Sequence, residues 1–67
     1  MRMIMIEQSH NPQPIYINPD NVSWVGDNGS YISIGLVCGK VINTKFTDAQ
    51  HAIDYIQRAT SASLGVA

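Results

Sequence analysis

The 67-residue sequence, 45% hydrophobic and only 13% charged, has room for one small domain and none for a separate catalytic one. Four Lys or Arg against five Asp or Glu give a net charge of −1, far from the basic balance that phosphate-backbone binding demands, and the lone Cys38 excludes an internal disulfide and a Cys-rich metal site. An average globular chain is roughly 25% charged, so much of this surface must be neutral or apolar, which favours self-association.

Met3-Ile4-Met5-Ile6 is a short apolar run ended by Gln8-Ser9-His10-Asn11-Pro12, the profile of a strand entering a loop. Pro14 cannot donate to a ladder and marks the start of a second strand, Ile15-Tyr16-Ile17. Asn18-Pro19-Asp20-Asn21 reads as a turn, because Pro19 presets φ and the Asp and Asn side chains bond locally to the backbone. In Val22-Ser23-Trp24-Val25, strict alternation puts Val22 and Trp24 on one face and Ser23 and Val25 on the other. Gly26-Asp27-Asn28-Gly29-Ser30 predicts a hairpin, since Asn-Gly tolerates positive φ at low steric cost.

The next strand, Tyr31 to Leu36, places Ile32, Ile34 and Leu36 on one face. Cys38-Gly39 makes the following turn, with positive φ required only at Gly39. Lys40 to Phe46 returns as a strand with Ile42, Thr44 and Phe46 inward and with Lys40 and Lys45 on opposite faces; Val41 breaks the alternation. Thr47-Asp48-Ala49-Gln50 matches a capping box, with Thr47 as the cap. The helix it starts carries Ala49, Ala52, Ile53, Ile56 and Ala59 as one apolar stripe, with Arg58 near its last turn. Small residues from Thr60 onward predict fraying, so residues 1–61 form the domain and 62–67 a flexible tail.

The expected fold is α+β: a small antiparallel sheet of four or five strands with one C-terminal helix, four if the Asn18 to Asn21 turn is a bulge in a longer strand. One helix covers one face of such a sheet. The other face, with Tyr16, Val25 or Trp24, Tyr31, Val37 and Val41, is too apolar to be left in water, and a second copy would cover it. Glu7, Gln8 and His10 interrupt the first apolar run before it reaches the length of a secretory core, and no stretch approaches a membrane span. A single thiol suits a reducing compartment, so the expectation is a cytoplasmic protein with no membrane partner.

Three segments, Ile17-Asn18-Pro19-Asp20-Asn21-Val22, Gly39-Lys40-Val41-Ile42 and Asp48 through Ile56, give the stretch from Ile4 to Ile56 a family likeness. It resembles small bacterial and phage proteins of the flagellar FlbD/SwrD type, and more loosely the first half of LytTR-type DNA-binding domains. The chain departs from the flagellar type in its longer loop from Ser9 to Pro14 and in Trp24, and it lacks the second half and the basic residues of the LytTR type. None of the shared motifs is catalytic.

Chemistry-bearing residues are few. His10, His51 and Cys38 have no ligand spacing between them, and Cys38 beside Gly39 and Lys40 reads as an exposed turn thiol rather than a nucleophile. No Ser/His/Asp set, paired carboxylates or phosphate-cradling Gly motif is present. The expected function is therefore a non-enzymatic homo-oligomeric module, without metal or cofactor, that acts through protein contacts, as a small regulator or phage-encoded inhibitor would. The alternative is sequestration of a small anionic ligand such as a nucleotide between subunits, in an interface lined by Trp24, Tyr31 and Tyr16 with Asn28, Arg2 or Lys45, and with Arg58 as a further cation. Weak nucleic-acid binding stands third, because it needs a basic stripe with aromatic platforms.

Overall fold

The computed structural model describes residues 3–63, with side chains through residue 60. Five strands precede one helix: β1 (Ile4–Ile6), β2 (Ile15–Ile17), β3 (Val22–Asp27), β4 (Ile32–Leu36), β5 (Val41–Thr44) and α1 (Ala49–Ser63). The α+β class and antiparallel pairing are as expected, but the strands form two sheets rather than one. β1 pairs with β2, and β3, β4 and β5 form a meander. Among the described residues no helix is long and apolar enough to cross a membrane.

The reason for the division lies in where β5 ends. The Glu7 carbonyl accepts from Lys45 N–H at 3.0 Å and the Asn43 carbonyl from Ser9 N–H at 2.9 Å, around a single antiparallel bridge between Gln8 and Thr44. After Lys45 the chain turns toward the helix, so β1 has no strand beside its outer edge. The Met5 carbonyl instead accepts from the Tyr55 hydroxyl of α1 at 2.9 Å. Phe46 stands beside this contact, its ring centroid 5.7 Å from that of Tyr55, and the two rings line a hollow of about 260 Å³ with Met5 and Lys45.

Side chains from both sheets meet in one core. Ile4, Ile6 and Ile17 come from the first sheet, Ile34 and Ile42 from the second and Ile56 from the helix. Ala52 is fully buried, so the helical stripe faces inward as its spacing predicts. Asn18 to Asn21 is a short 3-10 turn (Pro19–Asn21), not a bulge: the Asn18 side chain accepts from Asp20 N–H at 3.0 Å, and buried Pro19 sits under α1.

The bulge falls four residues later. Val22 pairs with Leu36 and Trp24 with Gly35, which leaves Ser23 as the extra residue. Val22 and Val25 therefore both pack on the core while Trp24 faces outward, which corrects the strict alternation. The strand ends also differ from expectation. Tyr31 lies before β4, and Lys40 and Lys45 flank β5 rather than belonging to it.

Both predicted turns form. The Asn28-to-Tyr31 loop has Gly29 at φ 93°, the Asn28 side chain accepts from Ser30 and Tyr31 N–H, and Asp27 Oδ1 accepts from Gly29 N–H. In the second turn Gly39, at φ 97°, donates to the Leu36 carbonyl, and Leu36 N–H donates to the Lys40 carbonyl. The helix cap is Asp48 rather than Thr47: Asp48 Oδ2 accepts from His51 N–H at 3.0 Å, a charge-assisted bond that a hydroxyl does not match. Gln50 is turned forward to Asp54 at 3.1 Å instead of back to a cap. Because α1 runs to Ser63, past the expected end at 61, Arg58 lies ahead of its last turn; residues 64–67 lie outside the described residues.

Candidate functional site

The two-sheet fold spreads the candidate residues over three surfaces. The first is the outer face of the small sheet. Met5 and Tyr16 are directly opposed across β1 and β2, so their side chains share a face, and they are 44% and 60% exposed. Met3, 51% exposed, lines two adjoining hollows. One, of about 480 Å³, lies between β1 and the helix and adds Met5, Tyr55 and Arg58; the other, of about 390 Å³, runs past Tyr16 and Ile15 to Leu36. The result is a continuous apolar band from α1 across β1 to β2, with Arg58 as the cation at its rim.

The second surface is the outer face of the meander. Trp24, Gly35 and Val41 lie in one cross-strand row, and the Trp24 indole lies flat over Gly35, filling the place of a side chain there. This explains why β4 is buried on both faces up to Gly35. In the next row the Ser33 hydroxyl donates to the Asn43 side chain at 2.8 Å. Trp24 thus serves as the cover of the central strand, whereas Tyr16 lines the hollow beside β2 and Tyr31 the groove at the β3–β4 hairpin, and Trp24 lines neither.

The third surface is a groove of about 580 Å³ where the β3–β4 hairpin, the end of β5 and the Ser9 loop converge. Tyr31 and Lys45, both sequence candidates, line it together with Ser9, Asp27, Ser30, Phe46 and Thr47. Tyr31 is held from behind: its hydroxyl lies 2.7 Å from His10 Nε2, His10 Nδ1 lies 3.0 Å from the Ser9 hydroxyl, and the two rings meet edge to face at 4.9 Å. Asn28 contributes to this region only through the turn, where its side-chain oxygen is committed to two backbone amides. Arg2 lies outside the described residues.

His10 is exposed in the loop after β1, yet both its ring nitrogens lie within hydrogen-bond distance of a hydroxyl. Twenty-one residues separate it from Tyr31, and no local pattern encodes such a contact. His51 is exposed and stacks loosely on Phe46, its centroid at 5.7 Å, and Cys38 is an exposed free thiol in the β4–β5 turn. Among the described residues no three His, Cys, Asp or Glu side chains converge on a common point, and no buried side-chain nitrogen or oxygen lacks a hydrogen-bond partner. The described cations form no stripe: Lys40 is in the β4–β5 turn, Lys45 in the groove and Arg58 on the helix.

What these surfaces define is a small α+β scaffold with an apolar face and a polar groove, joined by a hollow of about 260 Å³ that Lys45 and Phe46 line together with Met5 and Tyr55. Comparison of the chain with protein-family models, curated proteins and solved structures returned no match.

Proposed function

We propose that the protein is a non-enzymatic, homo-oligomeric interaction module whose contact surface is the Met3, Met5, Tyr16 and Tyr55 band. The observation that carries this reading is the continuity of the band: four large apolar side chains, each between 38% and 60% exposed, lie side by side on one face while the core below is already filled. A face of this kind loses free energy in water and regains it when covered. Met and Tyr are the residue types that such contacts favour, Met because it reshapes to its partner and Tyr because it adds a polar tip to a large apolar body. A net charge of −1 leaves little repulsion between copies.

Pro14 precedes β2 and blunts its open edge, which favours face-to-face packing of side chains over addition of a strand. Sedimentation and native mass spectrometry of the wild type beside Met5→Glu and Tyr16→Glu test the reading. Both side chains are exposed, so the variants keep the far-ultraviolet spectrum of the wild type. The expected result is an oligomeric wild type at micromolar concentration and monomeric variants. A monomeric wild type overturns self-association, and variants that stay at the wild-type mass overturn this choice of face.

A further inference from the structure

We infer that the groove between Asp27 and Lys45 binds a small ligand that carries both vicinal hydroxyls and a single phosphate, a sugar phosphate either free or as part of a nucleotide. The two charges bracket the buried row of Ile32 and Thr44. Asp27, Ile32 and Thr44 are cross-strand neighbours, so Asp27 lies two inter-strand spacings, roughly 10 Å, from the strand that ends beside Lys45. Among the described residues neither charge has an ion-pair partner. Asp27, which lines the groove, accepts from Gly29 N–H through Oδ1 at 2.9 Å, a bond that orients the carboxylate.

This charge arrangement selects among ligands. Asp27 repels a bare anion, and Lys45 repels a cation. A neutral diol satisfies the carboxylate but leaves the ammonium unused. A phosphorylated sugar satisfies both, because a carboxylate accepts from adjacent hydroxyls and an ammonium with a neighbouring Thr47 hydroxyl donates to phosphate. The Ser9 and Ser30 hydroxyls donate or accept as the intermediate ring oxygens require. Tyr31 and Phe46 supply the apolar walls, and the His10–Ser9 linkage holds the Tyr31 ring in place before any ligand arrives.

Lys45 and Phe46 also line a hollow together with Met5 and Tyr55, so Tyr16→Glu, which borders neither that hollow nor the groove, is the oligomer variant that leaves this site intact and keeps the failure of one reading distinguishable from the failure of the other. The test is a titration of the backbone amide resonances with ribose 5-phosphate, adenosine 5′-monophosphate, ribose and inorganic phosphate. Ribose 5-phosphate is expected to shift the amides of residues 28–31 and 44–47, and ribose or phosphate alone to do so only at far higher concentration. Lys45→Ala, at an exposed side chain, is expected to weaken ribose 5-phosphate about tenfold or more without changing the fold. Asp27→Asn keeps the bond to Gly29 and is expected to narrow the preference for ribose 5-phosphate over inorganic phosphate. Tighter binding of adenosine 5′-monophosphate than of ribose 5-phosphate supports the nucleotide form, and equal binding supports the free sugar phosphate. Absence of shifts at millimolar ligand, shifts that map elsewhere, or equal affinity in Lys45→Ala overturns the proposal.

Discussion

Gly35→Ala is the most direct probe of how this sheet is closed. Gly35 does not have positive φ, so its backbone accepts an alanine, and the obstacle is the indole of Trp24 alone. A methyl group built at Gly35 falls 2.0 Å from both Cε2 and Nε1 of Trp24 and 2.6 Å from Cζ2. Carbon atoms settle at about 3.5–4.0 Å, so the rigid ring must retreat by roughly 1.5 Å or swing off the strand. Overpacking of this kind costs about 1–3 kcal/mol, and the lower entropy of an unfolded chain with Ala in place of Gly offsets about 0.4–1 kcal/mol of it. A net loss near 1 kcal/mol lowers the melting temperature of a domain of this size by about 4–8 °C. Trp24 is the sole tryptophan, so its emission reports the displacement: the maximum moves to the red and near-ultraviolet dichroism falls. In a Trp24→Ala background the sign reverses, because only the entropic gain remains, and the double-mutant cycle isolates the ring contact. Unchanged emission and stability in Gly35→Ala, or the same loss in both backgrounds, refutes the cover.

Two further substitutions separate neighbouring readings of the same segment. Asp48→Ala removes the carboxylate that caps α1 and is expected to cost about 1 kcal/mol by denaturant titration, whereas Thr47→Ala is expected to be close to neutral; the reverse order restores the capping box at Thr47. Thr44→Val preserves shape but deletes a buried hydroxyl that donates to the Ile32 carbonyl at 2.7 Å and accepts from Phe46 N–H at 3.2 Å. About 1–3 kcal/mol of destabilisation is expected in urea titrations, and Thr44→Ser should recover most of it.

Local chemistry made much of the fold readable in the sequence. Pro14, the Asn28-Gly29 pair and Gly39 each impose a backbone geometry on their own residues, so the strand starts and both hairpins followed from them. The Asn18-Pro19-Asp20 motif likewise owes its form to a side-chain bond two residues long. The bulge at Ser23 did not follow, because it depends on what lies opposite: Gly35 leaves a vacancy that only the outward turn of Trp24 fills, and that turn brings Val25 to the core. The separation into two sheets was hidden for a similar reason. It depends on Phe46 and Tyr55 replacing a strand beside Met5, a contact across 50 residues. The candidate site suffered most. Tyr16, Trp24 and Tyr31 resemble one another as residue types, and only the neighbour of each, Met5, Gly35 and His10, decides where its ring lies.

The seam between the sheets and the groove are built from the same few residues. Ser9 and Lys45 hold the seam through their backbone amides, at 2.9 and 3.0 Å, while both residues also line the groove. With one isolated bridge joining two small sheets, this is where the backbone ladder is thinnest, and the core beneath carries most of the connection. A ligand that touches Ser9 on one side and Lys45 on the other therefore spans the junction and binds only when it is closed. Mass action then adds to the stability of the closed form in proportion to the logarithm of ligand concentration above its dissociation constant. The apolar band is affected differently. It lies on β1, β2 and the helix and reaches Leu36 of β4, so a copy covering it would hold the two sheets together through side chains rather than through the bridge. A covering copy and a ligand in the groove would thus both act on the junction of the two sheets, and their effects on stability would be coupled rather than additive.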